Sequence, residues 1–187
     1  LIQFDESIYD DLFTGIHNNI KYEILEGEFH TNQENIEALS FDGVVIKLTI
    51  NKHFSGTTIL DQRIFTQCLN YINFDKSDLI KIDLNNVEFN KMYEVYTDDE
   101  VEARYLITPS FMQRLKAMKV AFNANKVRCS FYKNYLLVGL FTSKDLFSIC
   151  SLFKPIDDPK QFFAMYEEIV SIIKLIDHFK LDQKIGM

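Results

Sequence analysis

From Lys21 to His30 the chain alternates, with Tyr22, Ile24, Glu26, Glu28 and His30 on one side of an extended segment and Lys21, Glu23, Leu25 and Phe29 on the other. A period of two predicts a half-exposed strand. Phe41 to Ile50 (FDGVVIKLTI) is rich in β-branched residues, which suit a pleated surface, and predicts a second strand. Gly56 to Leu60 predicts a third after a glycine turn, and the three are expected to be antiparallel neighbours. Before them lie an acidic, aromatic opening, Asp5 to Phe13, and a turn at His17-Asn18-Asn19. Further on, Ile80 to Leu84 and Met92 to Tyr96 read as strands separated by an Asn85-Asn86 turn and Phe89. Arg63 to Ile72 fits neither period, and the polar Asn73 to Asp78 reads as a loop.

At Thr97 the period changes. Thr97 and Glu100 have the spacing of a capping box, in which each side chain covers an orphan helix N–H. Thr108-Pro109 opens a second helix, with threonine as cap and proline where no donor is needed. Its stripe is Phe111, Leu115, Met118 and Phe122, with Asn123 and Asn125 placed to end it. Val127 to Phe131 and Tyr135 to Phe141 form a hairpin around Lys133-Asn134. Asp158-Pro159-Lys160-Gln161 starts a final helix over about 160–181. That helix carries Phe162, Tyr166, Ile169, Ile173 and Ile176 on one face, widened by Phe163, Val170 and Ile172. The expected fold is α+β: a mainly antiparallel sheet, a mid-chain helical insertion and a long C-terminal helix packed on the sheet. No repeat or Pro/Gly/Ser linker divides residues 1–187, so one domain is expected.

Composition narrows the function classes. With 187 residues, 47% of them hydrophobic, the chain can bury a substantial core. Its net charge of -7 argues against general nucleic-acid binding, which relies on gathered positive charge. Cys68, Cys129 and Cys150 are odd in number, with no CxxC pair, which fits a reducing compartment and small apolar core fillers. No apolar run reaches the ~18 residues of a membrane span. The longest, Ile169 to Ile176, is broken by Ser171 and Lys174.

Several segments resemble a bacterial family, domain of unknown function 3137. They are Phe41-x-Gly43, Phe54-Ser55-Gly56-Thr57, Val87-Glu88-Phe89-Asn90-Lys91, the run from Val95 to Pro109, Phe111-Met112, Ser130-Phe131 and Ile176 to Leu181. The resemblance covers most of the chain. Met92 stands where the family usually has phenylalanine, a swap that keeps bulk and apolarity. The resemblance implies hydrophobic, membrane-spanning segments ahead of the domain, and it carries over no activity, cofactor or catalytic residue. The chain starts Leu-Ile-Gln, so the expectation is a soluble piece of a longer, membrane-tethered protein on the cytoplasmic side of a bacterial membrane, or in the cytoplasm.

The search for chemistry finds little convergence. His17, His30, His53 and His178 are scattered, without a zinc-binding spacing, and no phosphate-binding or nucleophile-elbow motif occurs. The densest ionisable run is Asp98-Asp99-Glu100-Val101-Glu102, then Arg104. Acidic residues suit a first helical turn because they complement the positive end of its dipole. Arg104 has the spacing to pair with Glu100, while Tyr96 and Tyr105 flank the run. A structural latch of Tyr96, Glu102, Arg104 and Tyr105 is therefore expected, with a carboxylate serving a tyrosine hydroxyl. The alternative is an enzyme using carboxylate or divalent-metal chemistry at Asp98, Asp99 and Glu102.

Charge is unevenly distributed. Residues 1–102 carry a net -13, residues 103–144 carry +8 with no Asp or Glu, and residues 145–187 carry -2. The basic segment either neutralises acidic strands within the fold or faces something anionic. The candidate contacts are Arg114, Lys116, Lys119, Lys126 and Arg128, with the stems of Arg114 and Lys119 edging the apolar stripe. The functional expectation is a non-enzymatic binding module, without cofactor or nucleic acid, facing anionic lipid headgroups or an acidic protein surface. The 17 Phe and 9 Tyr also permit a small-ligand or lipid pocket between sheet and final helix.

Overall fold

A computed structural model of the chain describes residues 6–31, 39–51, 53–62, 79–143 and 159–185. Eight strands form one sheet: β1 (Glu6–His17), β2 (Ile20–Thr31), β3 (Leu39–Thr49), β4 (Thr58–Gln62), β5 (Ile80–Ile82), β6 (Tyr93–Thr97), β7 (Lys126–Tyr132) and β8 (Tyr135–Phe141). Four helices are described: α1 (Val87–Met92), α2 (Glu100–Leu106), α3 (Pro109–Ala121) and α4 (Pro159–Ile185). The strand order is β1-β2-β3-β8-β7-β4-β6-β5, antiparallel throughout. The fold is α+β, with α2 and α3 inserted between β6 and β7. The segments 63–72 and 73–78, Cys68, Cys150 and the Asp158 cap lie outside the described residues.

Local chemistry explains the hairpins. Asn18 and Asn19 both take positive φ (51° and 66°), the conformation that a two-residue turn between right-twisted strands demands. The acidic opening is therefore the first half of a hairpin, strand β1, which pairs with β2 along its length. The expected β7–β8 hairpin turns at Lys133-Asn134, where Lys133 takes positive φ (56°).

Two expectations need correcting. β3 and β4 are not neighbours, because the β7–β8 hairpin inserts between them. Val44, Ile46 and Leu48 pair with Leu140, Val138 and Leu136, and all six are fully buried. Matching wholly apolar strands at the sheet centre outweighs sequence proximity. The segment around Phe89 is not a bare connection either. Asn86 accepts the Phe89 N–H at 3.0 Å, capping the one-and-a-half-turn helix α1 before β6 begins.

Alternation along each strand divides the sheet into two faces. On one face Ile24, Ile46, Val138, Cys129, Leu60 and Val95 form the core. The α3 stripe of Phe111, Leu115, Met118 and Phe122 is fully buried against it, with the Phe111 and Phe131 rings 5.5 Å apart. Each such side chain contributes roughly 1.5–3 kcal/mol of burial. α4 adds Ile172, Leu175 and Ile176 to this core and packs beside α3. Asp177 of α4 reaches the β1–β2 turn, where its Oδ1 lies 2.9 Å from His17 Nε2 and accepts from Asn18 Nδ2 at 2.7 Å. The predicted apolar face of α4 is thus buried only in part. Phe162, Phe163, Tyr166 and Ile169 remain exposed.

Candidate functional site

The acidic run sits where β6 hands over to α2. Thr97 is still paired within the sheet, opposite Thr58 and Ile80, so it cannot begin a helix. The cap is Asp99, whose Oδ1 accepts the Glu102 N–H at 2.9 Å, while Thr97 Oγ1 accepts the Asp99 N–H. The expected Thr97–Glu100 box does not form. Glu100 instead binds Arg104 through Nε and Nη2 at 2.9 and 2.7 Å, the expected i, i+4 pair.

Three carboxylates converge on the loop before β4. Asp98 Oδ1 accepts the Thr57 N–H at 2.6 Å, and Asp99 Oδ2 accepts the Ser55 hydroxyl at 2.9 Å. Glu102 accepts the Ser55 N–H through Oε1 at 3.1 Å and the Gly56 N–H through Oε2 at 3.0 Å. Charge-assisted bonds of this type are stronger than neutral ones. The Glu102 N–H, followed by the Ser55 hydroxyl, holds the Asp99 carboxyl below its ordinary range. Position 56 has to be glycine, because a Cβ there would meet the Asp98 carboxylate and lie 2.8 Å from Asp99 Cβ. The cluster clasps a loop onto a helix, with both oxygens of Asp99 and Glu102 and Oδ1 of Asp98 accepting from main-chain and hydroxyl donors. Among the described residues, no group of three or more His, Cys, Asp or Glu is placed to hold a metal ion.

The tyrosines belong elsewhere. Tyr96 donates its hydroxyl to Glu94 Oε2 at 2.9 Å, and Glu94 Oε1 accepts from Lys81 Nζ at 2.6 Å. Burial and this bond to Glu94 push the Tyr96 phenol up to about 12. Tyr105 is exposed on α2. Of the four latch residues, Glu102 is bonded to the loop through Ser55 and Gly56 among the described residues. Its partners Ser55, Gly56 and Thr57 went unrecognised because main-chain N–H groups leave no mark in a sequence beyond a glycine beside hydroxyl residues.

The five candidate cations divide between two surfaces. On β7, Val127, Cys129 and Phe131 point into the core, so Lys126 and Arg128 project from the opposite face. There Arg128 binds the buried Asp61 in bidentate fashion, Nε–Oδ1 3.0 Å and Nη2–Oδ2 2.8 Å. Lys126 Nζ lies 6.0 Å from the centre of the Phe141 ring. Internal neutralisation therefore accounts for Arg128 and Arg104.

Arg114 and Lys116 behave differently. With Lys174 of α4 they line an open groove of about 900 Å³ between α3 and α4. Its apolar wall includes Val120, Val170 and Tyr166, and a single carboxylate, Glu167, contributes to the lining. Arg114 Nε is buried with no hydrogen-bond acceptor. Lys119 sits half-buried on α3 outside the groove lining. Lys174 escaped notice because it lies 58 positions beyond Lys116 and joins it only when the helices pack. Among the described residues, no helix is long and apolar enough to cross a membrane.

Comparison with known proteins adds a family and little else. No curated protein matches the chain. Among solved structures it is similar to the mycobacterial trehalose monomycolate transport factor A, TtfA, at 12% identity over 91% of this chain and 86% of that one. The TM-score of 0.38 is too low for that likeness to bear on function. A family model matches residues 39–181, which include the clasp, α3 and most of α4, and the chain belongs to that family, described as protein of unknown function DUF3137.

Proposed function

We propose that this domain is a non-enzymatic docking module whose α3/α4 groove receives an acidic helix of a partner protein. The supporting observation is the meeting of Arg114, Lys116 and Lys174 with exposed Val120 and Tyr166 in one groove. A concave trough between two helices fits a cylinder with an apolar face and acidic edges. Interfaces of this kind draw most of their affinity from buried aromatic and arginine anchors. The Arg114 guanidinium supplies a fixed positive charge at the groove that an incoming carboxylate would meet. A flat sheet of lipid headgroups reaches such a recessed group less well, so a protein partner is favoured over a membrane surface. The location proposed is the cytoplasmic side of a bacterial membrane, with a tether, or the cytoplasm. The buried, unbridged thiol of Cys129 supports a reducing compartment. Carboxylate or metal-assisted catalysis at Asp98, Asp99 and Glu102 is not favoured, since each of these carboxylates already accepts at least one hydrogen bond from the 55–57 loop.

The test uses a fluorescent amphipathic helix with glutamates along both edges of a leucine face, in parallel with vesicles rich in phosphatidylglycerol. The wild-type domain should bind the peptide with an affinity that falls steeply with salt. The triple variant Arg114→Gln, Lys116→Gln, Lys174→Gln should bind at least about tenfold more weakly, a difference of ~1.4 kcal/mol. Vesicle binding without peptide binding would replace the protein partner by a membrane.

A further inference from the structure

The two walls of the α3/α4 groove run in opposite directions. Near the start of α3, the Phe111 ring lies 5.5 Å from that of Phe131, close to the β7–β8 turn. Beyond its other end, the Asn125 N–H donates to the Phe141 carbonyl, where β7 begins and β8 ends. α3 therefore runs away from the β7–β8 turn, and α4 runs back towards it. Asp177, late in α4, meets the β1–β2 turn. That turn lies at the same end of the sheet, since Lys21 pairs with Thr49, Thr49 with Tyr135 and Tyr135 with Tyr132.

Antiparallel walls sort the lining by chemistry. Arg114 and Lys174 fall towards the turn end, and Val120 and Tyr166 towards the other, with Lys116 between them. The far end is apolar and open: Val120 is 80% and Tyr166 63% exposed. Phe162, one turn before Tyr166 on the same face of α4, is 46% exposed and extends that wall. Glu167, a carboxylate of the lining, also lies at this apolar end.

We infer that the groove is polarised and selects a helix whose carboxylates are gathered in one half and whose apolar residues fill the other. The inference rests on the docking role proposed above and specifies the partner's pattern. The acidic half lies over Arg114 and Lys174, and the apolar half covers Val120, Tyr166 and Phe162. The reverse placement sets carboxylates against Glu167 and covers the cations with apolar surface. Like-charge contacts and desolvated, unpaired charges are what exclude a wrong partner or a wrong orientation. Lys174 and Phe162 are 12 positions apart. That is ~18 Å along a helix, so the docked helix needs at least about three turns.

Fluorescence anisotropy with two helical peptides of identical composition tests this. One has its glutamates in one half and its leucines in the other; in the second, both are spread along the length. The grouped peptide should bind the wild-type domain at least about fivefold more tightly at low salt. Phe162→Ser should weaken the grouped peptide by a similar factor and leave the thermal midpoint of the domain unchanged, because the side chain is half-exposed. Glu167→Gln should narrow the gap between the peptides. A nitroxide on the acidic end of the grouped peptide should broaden the resonances of Arg114 and Lys174 and spare Val120 and Phe162, and a nitroxide on the apolar end should do the reverse. Equal affinity for the two peptides, or one label broadening both ends of the groove, would overturn the inference while groove docking stands. Failure of both peptides to bind would overturn the docking role and the inference together.

Discussion

Gly56 donates its main-chain N–H to Glu102 Oε2 at 3.0 Å, joining the loop before β4 to the first turn of α2. A side chain at position 56 would collide with Asp98 and Asp99, so the bond depends on the glycine. Gly56→Ala should destabilise the domain by about 1–3 kcal/mol, as overpacking typically does. Glu102→Ala, which removes the acceptor of one exposed and one part-buried main-chain donor, should lose about 1 kcal/mol. Glu100→Ala releases only the surface pair with Arg104 and should lose less than about 0.5 kcal/mol. Urea unfolding of the three variants measures this ranking directly.

The same clasp makes a prediction about acid. Asp99 has its carboxyl held below the ordinary range in the folded chain, so folding favours its ionised form. That stabilisation is complete above the usual aspartate value near 4 and disappears as pH falls through the lower folded value. Between pH 6 and pH 2, Asp99→Asn should therefore lose less stability than wild type. An identical slope for both proteins in pH-dependent urea midpoints would contradict the assignment.

At high pH the tyrosines act in the opposite sense. Burial pushes the Tyr93 phenol up to about 12, and burial with the Glu94 contact does the same for Tyr96. An unfolded tyrosine ionises near 10. The contribution is intact below pH 10 and is lost as pH rises through about 12, because the unfolded chain gives up these protons first. Absorbance titration of the phenolate band should show two late-ionising tyrosines, and Tyr96→Phe should remove one.

Arg128 and Arg104 are both paired with carboxylates, yet they should differ in effect. Asp61 is 1% exposed, so Arg128→Leu leaves an uncompensated buried charge and should destabilise by about 3–5 kcal/mol. Arg104→Leu frees a surface glutamate and should lose less than about 0.5 kcal/mol. The double variant Asp61→Leu, Arg128→Leu should recover most of the larger loss. Guanidinium denaturation of these variants settles the comparison.

Much of the architecture could be read from the chain, and what could not has physical causes. The α3 stripe was legible because Phe111, Leu115, Met118 and Phe122 recur at helical spacing over three turns. The β7–β8 hairpin was legible from two alternating runs around Lys133-Asn134. Strand partners were not, because alternation tells which side of a strand is buried and not which strand lies beside it; hence the displacement of β4 from β3. Helix α1 is too short to display a period. The Thr97 cap misled because sheet pairing claimed that residue first. Contiguity in sequence also misrepresented the basic segment, whose cations face opposite sides of a sheet and a helix layer. Only Arg114 and Lys116 reach the groove, and their third partner comes from α4.

The groove is tested most directly by NMR titration of the isotope-labelled domain with the acidic amphipathic helix at low salt. Resonances of Arg114, Lys116, Val120, Tyr166, Val170 and Lys174 should shift together and return to their free positions as salt is raised. The triple glutamine variant should show no such shifts. Shifts centred on Ser55 and Glu102, or shifts at the groove that persist in the triple variant, would contradict the account.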